Sequence, residues 1–397
     1  MVRAIVRLVS GVGKFGLSIG LVYMVQQNRE ALVLGIDAGG SKTKACLAKL
    51  DLQQVHDPEG WRDCLHMLGS AESGPGNPRS VGFETVYENI ERATREAFQA
   101  AGIPFRKVDS VCICMAGVGR ADQREPVGAW CEQIQLGDSI RISEDVSPIR
   151  WAALWESRYL RDSNQRFSDS AGSANDWNNS VTLIAGTGSI VAASKGPLST
   201  SSQEEVWAPR SGLVESELEW VRVGGWGYIL GDEGSGYAIG LSALKEVCRA
   251  HDTGEELSPL HQILLKEMGC SSPIELIPMV YTQPIPRPKI ASLYRHVVRY
   301  ASSDLVAAKL LEYAAIDLAE LIVSGASRCG LKPLEFRLAF SGGTLLEKSP
   351  LVPAILRHLE QMQMQPAMSH QVSDPVVGAV VMASLSCNAN GGRPRVD

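Results

Sequence analysis

Short apolar runs that end in glycine-rich turns recur along the chain. "LVLGIDAGGSKTKACLAKL" (32–50) places two apolar segments on either side of Gly39, and "VTLIAGTGSIVAAS" (181–194) repeats the arrangement around Gly188. Two apolar segments joined by a short glycine turn predict a β-hairpin. Each hairpin is followed by further strand patterns and then by helical ones. We therefore predict two similar α/β halves, each of which contributes one glycine hairpin to a shared cleft.

Helical periodicity follows the first hairpin. The segment "FETVYENIERATREAFQAAG" (83–102) ends at Gly102 and carries apolar residues at helical spacing. These residues are Val86, Ile90, Ala93, Ala97 and Phe98. Just before it, "SAESGPGNPRSVG" (70–82) is rich in Gly, Pro and Ser and predicts a loop.

Further strand and helix patterns continue to the end of the chain. "SVCICMAGVGRADQRE" predicts a strand that enters a glycine turn, and "IRISEDVSPIRWAALW" predicts a strand that ends in acids and then a helix. "EFRLAFSGGTLLEKSPLVPAIL" predicts a strand, a glycine turn and a helix, and "SDPVVGAVVMASLS" predicts an apolar helix that begins at Asp-Pro.

These patterns divide the chain into two domains. We expect the first domain to span residues 31–150 and the second to span 151–373, with the last helix, 374–386, returning to the first domain. Two polar stretches, 161–180 and 195–219, are expected to be insertions in the second domain.

Composition narrows the class of protein. The 397 residues are 45% hydrophobic and 21% charged, which fits a folded chain of more than one domain. The formal net charge of −6 argues against a general nucleic-acid binder, because no basic excess is present to neutralise phosphates. The nine cysteines include no CxxC pair, which favours reduced thiols in a reducing compartment over a metal site.

The first thirty residues form a separate segment. They contain no acid before Glu30 and carry Arg3, Arg7 and Lys14, which leaves a mitochondrial presequence open beside a disordered or mis-started tail. Their apolar stretch is shorter than the roughly 20 residues needed to span a bilayer. The expected compartment is the cytoplasm, with no stable membrane association.

The glycine turns suit a polyanion. "GGSKT" is not a P-loop, since GxxxxGK[ST] is absent and the segment that follows reads as a strand. No GxGxxG opens a helix after a strand, which disfavours a Rossmann site. Successive backbone N–H groups in such turns bind anionic oxygens, and nearby hydroxyls add donors. Those hydroxyls belong to Ser41, Thr43, Thr187 and Ser189.

With these turns the chain resembles a known family, the N-acetylglucosamine kinases. This group is allied to the BadF/BadG/BcrA/BcrD ATPase domain and belongs to the actin-like ATPase superfamily of sugar kinases. The motifs that carry the resemblance occur in the family's order: "GIDAGGSKT", "AGVGRADQR", "ISEDVSPIRWA", "LIAGTGSIV", "GGWGYILGDEGSGYAIG" and "FSGGTLLEKSPL". The resemblance implies an α/β fold of two RNase H-like domains that close over ATP and a hydroxyl substrate. It implies an ATP-dependent kinase that phosphorylates the 6-hydroxyl of an amino sugar, with N-acetyl-D-glucosamine as the first candidate.

Roles for the carboxylates follow from the resemblance. Asp145 matches the catalytic base, with Glu144 as the competing carboxylate, and Asp37 suits water-mediated contact with Mg²⁺. The expected sugar-binding residues are Asn77, Asp145, Ser189, Gly224, Gly225 and Asp232. The expected ATP- and phosphate-binding residues are Gly39, Gly40, Ser41, Thr43, Gly186, Thr187, Gly188, Gly342, Gly343 and Thr344.

One position departs from the pattern of some relatives. Ile190 follows the second glycine turn where they have a polar residue, which leaves glucosamine and N-acetylmuramate open as substrates. Another alternative is a BadF-type activator of a dehydratase, which would need cysteines beside the turns to ligate an iron–sulfur cluster. A homodimer is also left open.

Overall fold

The computed structural model describes residues 30–52, 64–163, 177–196, 219–281, 287–346 and 349–390. The predicted leader and most of the two predicted polar insertions, 161–180 and 195–219, lie outside these residues. Among the described helices, none is both long enough and apolar enough to cross a membrane.

The described residues form ten strands in two five-stranded sheets. The first sheet has the order β3-β2-β1-β4-β5 and the second has the order β10-β9-β6-β7-β8. The strands of the first sheet are β1 (Glu30–Ala38), β2 (Thr43–Asp51), β3 (Leu65–Ser73), β4 (Val108–Met115) and β5 (Gly137–Glu144). The strands of the second sheet are β6 (Ser180–Ala185), β7 (Ser189–Lys195), β8 (Glu219–Gly224), β9 (Arg337–Ser341) and β10 (Met368–Gln371).

The two sheets share one topology. In each, three antiparallel strands are continued by two parallel ones, so β1, β2, β3, β4 and β5 correspond to β6, β7, β8, β9 and β10. This repeat is the duplicated α/β unit that the glycine hairpins predicted.

Helices cover the sheets. In the first half they are α1 (Pro78–Val81), α2 (Phe83–Ala100), α3 (Ala121–Gln133) and α4 (Ser147–Ser163). Beyond β8 they are α5 (Gly236–Asp252), α6 (Pro259–Met268), α7 (Leu276–Val280), α8 (Arg287–Ser292), α9 (Tyr294–Tyr300), α10 (Leu305–Arg328), α11 (Leu351–Gln361) and α12 (Pro375–Asn390). Two short 3₁₀ turns lie at Pro273–Glu275 and Gly343–Leu345.

The helix predicted after the first hairpin is confirmed. Helix α2 spans Phe83–Ala100 and buries the five apolar residues that set its period. The loop predicted for 70–82 is partly wrong, because β3 continues to Ser73 and α1 begins at Pro78. Strand β3 is the edge of its sheet, where small polar residues are tolerated, so it shows little of the apolar alternation of a strand.

The last helix packs on the first sheet. Along β1, Leu34 and Ile36 face the core under α2, whereas Val33 faces the opposite core, which contains Val376 and Val380 of α12. Successive side chains of a strand alternate between faces, so Gly35 and Asp37 share the α12 face with Val33. A Cβ on Gly35 would lie 2.4 Å from the backbone nitrogen of Val380, so the helix approaches as closely as it does because this position is glycine.

Candidate functional site

Two carboxylates lie at one edge of the first sheet. Strands β1, β4 and β5 run parallel, so their carboxyl ends meet at the same edge. Asp37 is the second-last residue of β1, and Asp145 directly follows β5. Ligand sites of α/β sheets lie outside the carboxyl ends of the strands. The structure therefore brings the predicted metal-contacting and catalytic carboxylates together.

Asp37 is held in an environment that disfavours its charge. Burial, and then the negative charges of Asp145 and Asp374, raise its pKa to about 7, against smaller opposing effects of Lys42 and Lys44. Lys44 lies beside Asp37 across the hairpin, but its Nζ forms an ion pair with Asp374 Oδ2 at 2.6 Å. The negative charge of Asp37 is thus only partly compensated by nearby lysines, and a bound cation would stabilise it.

Asp145 and Glu144 differ in their surroundings. Burial raises the pKa of Asp145, while the charge of Arg222 and backbone hydrogen bonds act in the opposite direction. Glu144 lies between two guanidinium groups, with Arg124 Nη2 at 3.8 Å from its Oε1 and Arg222 Nη1 at 3.5 Å from its Oε2. Glu144 is thus engaged in ion pairs with two arginines, whereas Asp145 accepts backbone hydrogen bonds at the end of β5.

The first glycine turn joins β1 to β2. The N–H of Gly39 donates to the carbonyl of Lys42 at 2.9 Å, and the N–H of Gly76 donates to the carbonyl of Gly39 at 2.8 Å. Gly40 and Ser41 are exposed, as a phosphate contact requires. Thr43 differs from the expectation: it is fully buried, and Gly76 covers its hydroxyl, whose oxygen has no hydrogen-bond partner.

The two glycine turns meet. Ser41 Oγ lies 3.4 Å from Thr187 Oγ1, so the glycine turn of the first half is in contact with the glycine turn of the second half. The second turn is closed by the N–H of Gly186, which donates to the carbonyl of Gly188 at 2.9 Å. The two turns, with small side chains and partly exposed hydroxyls, thus lie side by side, and the predicted cleft that they would share stays a prediction.

The predicted sugar-binding acid lies beneath the second turn. Asp232 has a left-handed backbone (φ 64°), is 5% exposed, and its Oδ1 accepts a hydrogen bond from the N–H of Ser189 at 3.3 Å. A Cβ on Gly188 would lie 2.8 Å from that carboxylate, so a glycine is needed there. Burial raises the pKa of Asp232. The hydroxyl of Ser189, predicted to face the sugar, instead donates to the carbonyl of Glu233 at 2.7 Å and holds the loop in place.

The glycine pair 224–225 ends β8 beside the same turn. Both residues have positive φ, and the N–H of Gly225 donates to the carbonyl of Ser189 at 3.0 Å. Ile190 is buried and packs against Gly225, where a Cβ would lie 2.9 Å from its Cδ1. The residue that departs from the family pattern therefore supports the glycine pair from below.

The remaining predicted residues lie in loops beside helix α1 and after β9. Asn77 caps the short helix α1 by accepting a hydrogen bond from the N–H of Arg79 at 3.0 Å, and its Oδ1 would lie 2.5 Å from a Cβ on Gly117. Gly342 has φ 104°, and its neighbour Gly343 lies beside the turn at Gly186.

Thr344, predicted to bind the nucleotide, is used within the fold. It is buried, and its hydroxyl donates to the carbonyl of Ala185 at 2.8 Å, which fixes the third glycine turn against the end of β6.

The sequence reading missed three charged residues. Arg222 reaches from β8 to Glu144, and Asp374 pairs with Lys44. The guanidinium of Arg287 lies 4.4 Å over the ring of Tyr228, and its charge partly opposes the rise in the pKa of Asp232 that burial causes. The one sequence signal for Arg222 was a charged residue between two valines of β8. The other two contacts join segments that are distant in the sequence.

The sequence is related to those of two proteins that are named as sugar kinases. The chain is 25% identical over 357 residues to an N-acetylmuramic acid/N-acetylglucosamine kinase of Clostridium acetobutylicum, covering 90% of this chain and 99% of that protein. It is 27% identical over 367 residues to an N-acetyl-D-glucosamine kinase of Dictyostelium discoideum, covering 89% of this chain and 97% of the relative.

The fold is also similar to a solved structure from Chromobacterium violaceum, a protein described as a candidate N-acetylglucosamine kinase. The TM-score is 0.59 at 20% sequence identity, and the match covers 89% of this chain and 99% of that one. A family profile matches residues 34–197 and 216–383, which include both glycine hairpins, Asp145 and Asp232. The chain belongs to the BadF/BadG/BcrA/BcrD ATPase family.

Proposed function

We propose that this protein is an ATP-dependent kinase that transfers a phosphoryl group to the 6-hydroxyl of an amino sugar. The observation that carries the proposal is the contact between the two glycine turns at Ser41 and Thr187, beside the sheet edge that holds Asp37 and Asp145. Two such turns suit the phosphates of a nucleotide, and a carboxylate beside them suits a hydroxyl acceptor. Both relatives described above are named as kinases of amino sugars.

In the proposed reaction the turns bind the phosphates and Asp145 prepares the acceptor. Phosphoryl transfer needs positioning and charge stabilisation more than covalent help from the protein. The N–H groups and hydroxyls at Ser41 and Thr187 would hold phosphate oxygens. Asp145 would accept the proton of the 6-hydroxyl as the oxygen attacks, and a pKa raised by burial makes it a better proton acceptor than an exposed aspartate.

The residues around Asp37 fit Mg²⁺. Mg²⁺ is bound in kinases by one or two carboxylates together with substrate phosphates and waters. Asp37 supplies an oxygen ligand that lacks compensating charge, and no group of three or more acidic, histidine or cysteine side chains among the described residues is placed to hold a metal alone. Asp37 would thus hold the ion through water, and the ion would neutralise charge on the transferring phosphoryl group.

Sugar binding is assigned to the loop after β8 and to the loop before α1. The residues assigned to the sugar are Asp232, the glycine pair 224–225 and Asn77. Gly225 is linked to the end of β5 through Arg222, and a carboxylate such as that of Asp232 accepts hydrogen bonds from two sugar hydroxyls at once. N-acetyl-D-glucosamine is the first candidate acceptor. N-acetylmuramate is the second, because one relative is named for both sugars.

The domain arrangement is part of the proposal. We assign residues 31–150 and the last helix to one domain, supported by the contact of Gly35 with Val380, and residues 151–373 to the other.

The nine cysteines are free thiols, which suits a reducing compartment such as the cytoplasm.

The activator of a dehydratase is the less supported alternative. Cys112 and Cys114, with sulfur atoms 3.7 Å apart, are fully buried in β4, and Cys114 faces Met382 of α12. Thiols in the core cannot ligate a cluster shared between subunits.

An ADP-release assay tests the proposed function. The purified protein would be given ATP and Mg²⁺ with N-acetyl-D-glucosamine, glucosamine, N-acetylmuramate or glucose, and with 6-deoxy-N-acetylglucosamine as the matched control. We expect turnover with at least one amino sugar and none with the 6-deoxy analogue. Failure of every sugar in the panel, or equal turnover with the analogue, would contradict the proposal.

A further inference from the structure

Arg222 joins both halves of the cleft. It lies on β8 of the second sheet, and its side chain reaches Glu144 at the end of β5 in the first sheet, with Nη1 3.5 Å from Oε2. Its Nη2 donates to the carbonyl of Gly225 at 2.8 Å. One guanidinium therefore contacts both the residue before Asp145 and the glycine pair assigned to the sugar.

Two glycines make room for this side chain. A Cβ on Gly119 would lie 2.8 Å from Arg222 Nη1, and a Cβ on Gly225 would lie 2.8 Å from Nη2. Gly119 belongs to the loop after β4, so the guanidinium touches three segments that are far apart in the sequence. The space for its two nitrogens depends on two separate positions being glycine.

The neighbours of Glu144 extend the connection. Arg124 lies 3.8 Å from the other carboxylate oxygen of Glu144 and donates to the carbonyl of Val118 at 2.9 Å and to that of Gly119 at 3.3 Å. Glu144 is therefore fixed from one side by Arg124, within its own half, and contacted from the other by Arg222. The chain of contacts runs from the loop after β4, through the end of β5, to Gly225.

We propose that Arg222 is a positioning residue that sets the sugar-binding glycine pair 224–225 at the correct distance from the catalytic Asp145. This inference rests on the proposed kinase function. The planar guanidinium donates in two directions at once, which a lysine cannot reproduce. Arg222 does not touch the reacting atoms in this account; it acts through Gly225 and Glu144, so its loss should affect the acceptor sugar more than the nucleotide.

The test compares three variants in the steady-state assay with the best sugar of the panel. Arg222→Met removes both contacts, Arg222→Lys keeps the charge, and Glu144→Gln weakens the contact between the halves. The matched control is Arg357→Met, because Arg357 forms an ion pair with Glu312 at 2.6 Å between two helices of the second half. Thermal melting of each variant shows whether it is folded.

Arg222→Met should raise the sugar KM by about tenfold or more, the range expected for losing a charged hydrogen bond, and should lower kcat. The ATP KM should stay within about threefold of the parent value, and the control should match the parent. Arg222→Lys should fall between the parent and Arg222→Met. Combining Arg222→Met with Glu144→Gln should add less than the sum of the single effects, because the two residues act through one contact.

A sugar KM within about threefold of the parent value in Arg222→Met, with the protein active, would overturn the inference and leave the kinase function intact. Equal increases in the KM of sugar and ATP would also overturn it, since a general loss of structure acts on both. If Arg222→Met does not fold, the same two KM values are measured for Glu144→Gln, and a sugar KM within about threefold of the parent value would overturn the inference. An inactive parent protein would overturn the proposed function, and this inference with it.

Discussion

Ser41 and Thr187, 146 positions apart in the sequence, approach within 3.4 Å at their hydroxyl oxygens. Ser41 lies in the glycine turn that joins β1 to β2, and Thr187 lies in the glycine turn that joins β6 to β7. The contact is therefore between the equivalent turns of two similar halves. A ligand with several anionic oxygens could contact both turns at once, which links the duplicated topology directly to nucleotide binding.

The first prediction separates the exposed hydroxyls from the buried one. Replacing both Ser41 and Thr187 by Ala should raise the ATP KM by about tenfold or more, because hydrogen bonds to charged groups are lost. Thr43→Val is the control, and it should leave the ATP KM unchanged and stabilise the fold by about 1 kcal/mol, since the buried hydroxyl oxygen of Thr43 has no partner. Steady-state kinetics and thermal melting measure both effects. An ATP KM raised as strongly by Thr43→Val would place Thr43 at the phosphates after all.

The second prediction concerns Asp37 and the stability of the fold. Burial, then Asp145 and Asp374, raise its pKa to about 7, so the folded state binds a proton more tightly than the unfolded state. The contribution of the Asp37 carboxyl to the free energy of unfolding therefore decreases as pH rises from the pKa of 3.8 that this group has in the unfolded chain towards about 7. Asp37→Asn should melt at a higher temperature than the parent near pH 8, with the difference shrinking at about pH 5. The melting is measured without nucleotide or Mg²⁺.

The same substitution should abolish Mg²⁺-dependent turnover, because the amide cannot replace the carboxylate beside the phosphates. A variant that is less stable at every pH would show that Asp37 supports the fold and is not held under electrostatic strain.

A third prediction concerns pH. Asp145 must be deprotonated to act as a base, so kcat/KM for the sugar should decrease at low pH. Arg222 lowers the pKa of Asp145 against the larger effect of burial. Arg222→Met should therefore move this acid limb to higher pH, as measured by kcat/KM across a pH series. An unchanged acid limb would mean that another group controls it.

Features of the site that depend on neighbouring residues in the sequence could be predicted, whereas contacts between residues that are far apart in the sequence could not. The turns at Gly39 and Gly188 could be predicted because an apolar run, glycines and a second run are adjacent in the chain. The position of Asp145 could be predicted because a strand ends directly before it. Arg222 could not be assigned, since its contacts join β8 to β5 and to the loop after β4.

The surroundings of the hydroxyls of Thr43, Ser189 and Thr344 could not be predicted for the same reason. Whether a hydroxyl at a turn faces the cleft or the interior depends on what packs against it. Gly76 covers Thr43, the loop carbonyl of Glu233 accepts from Ser189, and the end of β6 accepts from Thr344. None of these neighbours is adjacent in the sequence to the residue that it engages.

A fourth prediction tests the packing of the last helix on the first sheet. Gly35→Ala places a Cβ 2.4 Å from the backbone nitrogen of Val380, so the helix must move, and the free energy of unfolding should fall by about 3 kcal/mol or more. Gly40→Ala is the matched control, because nothing lies within 4 Å of its Cβ. Its stability should stay within about 0.5 kcal/mol of the parent value. Denaturant unfolding measures both, and equal stabilities would contradict this packing.

The measurement that tests the account most directly is single-turnover phosphorylation of the sugar by Asp145→Asn, set beside Glu144→Gln and nucleotide binding by both variants. Asparagine keeps the size of the side chain but cannot accept the proton, so the rate should fall by roughly 10²–10⁴-fold while ATP affinity stays near that of the parent. Glu144→Gln should retain a much larger share of the rate, because Glu144 lies between two arginines and serves to position the loop. An Asp145→Asn rate within about tenfold of the parent, or a larger loss in Glu144→Gln, would contradict Asp145 as the base.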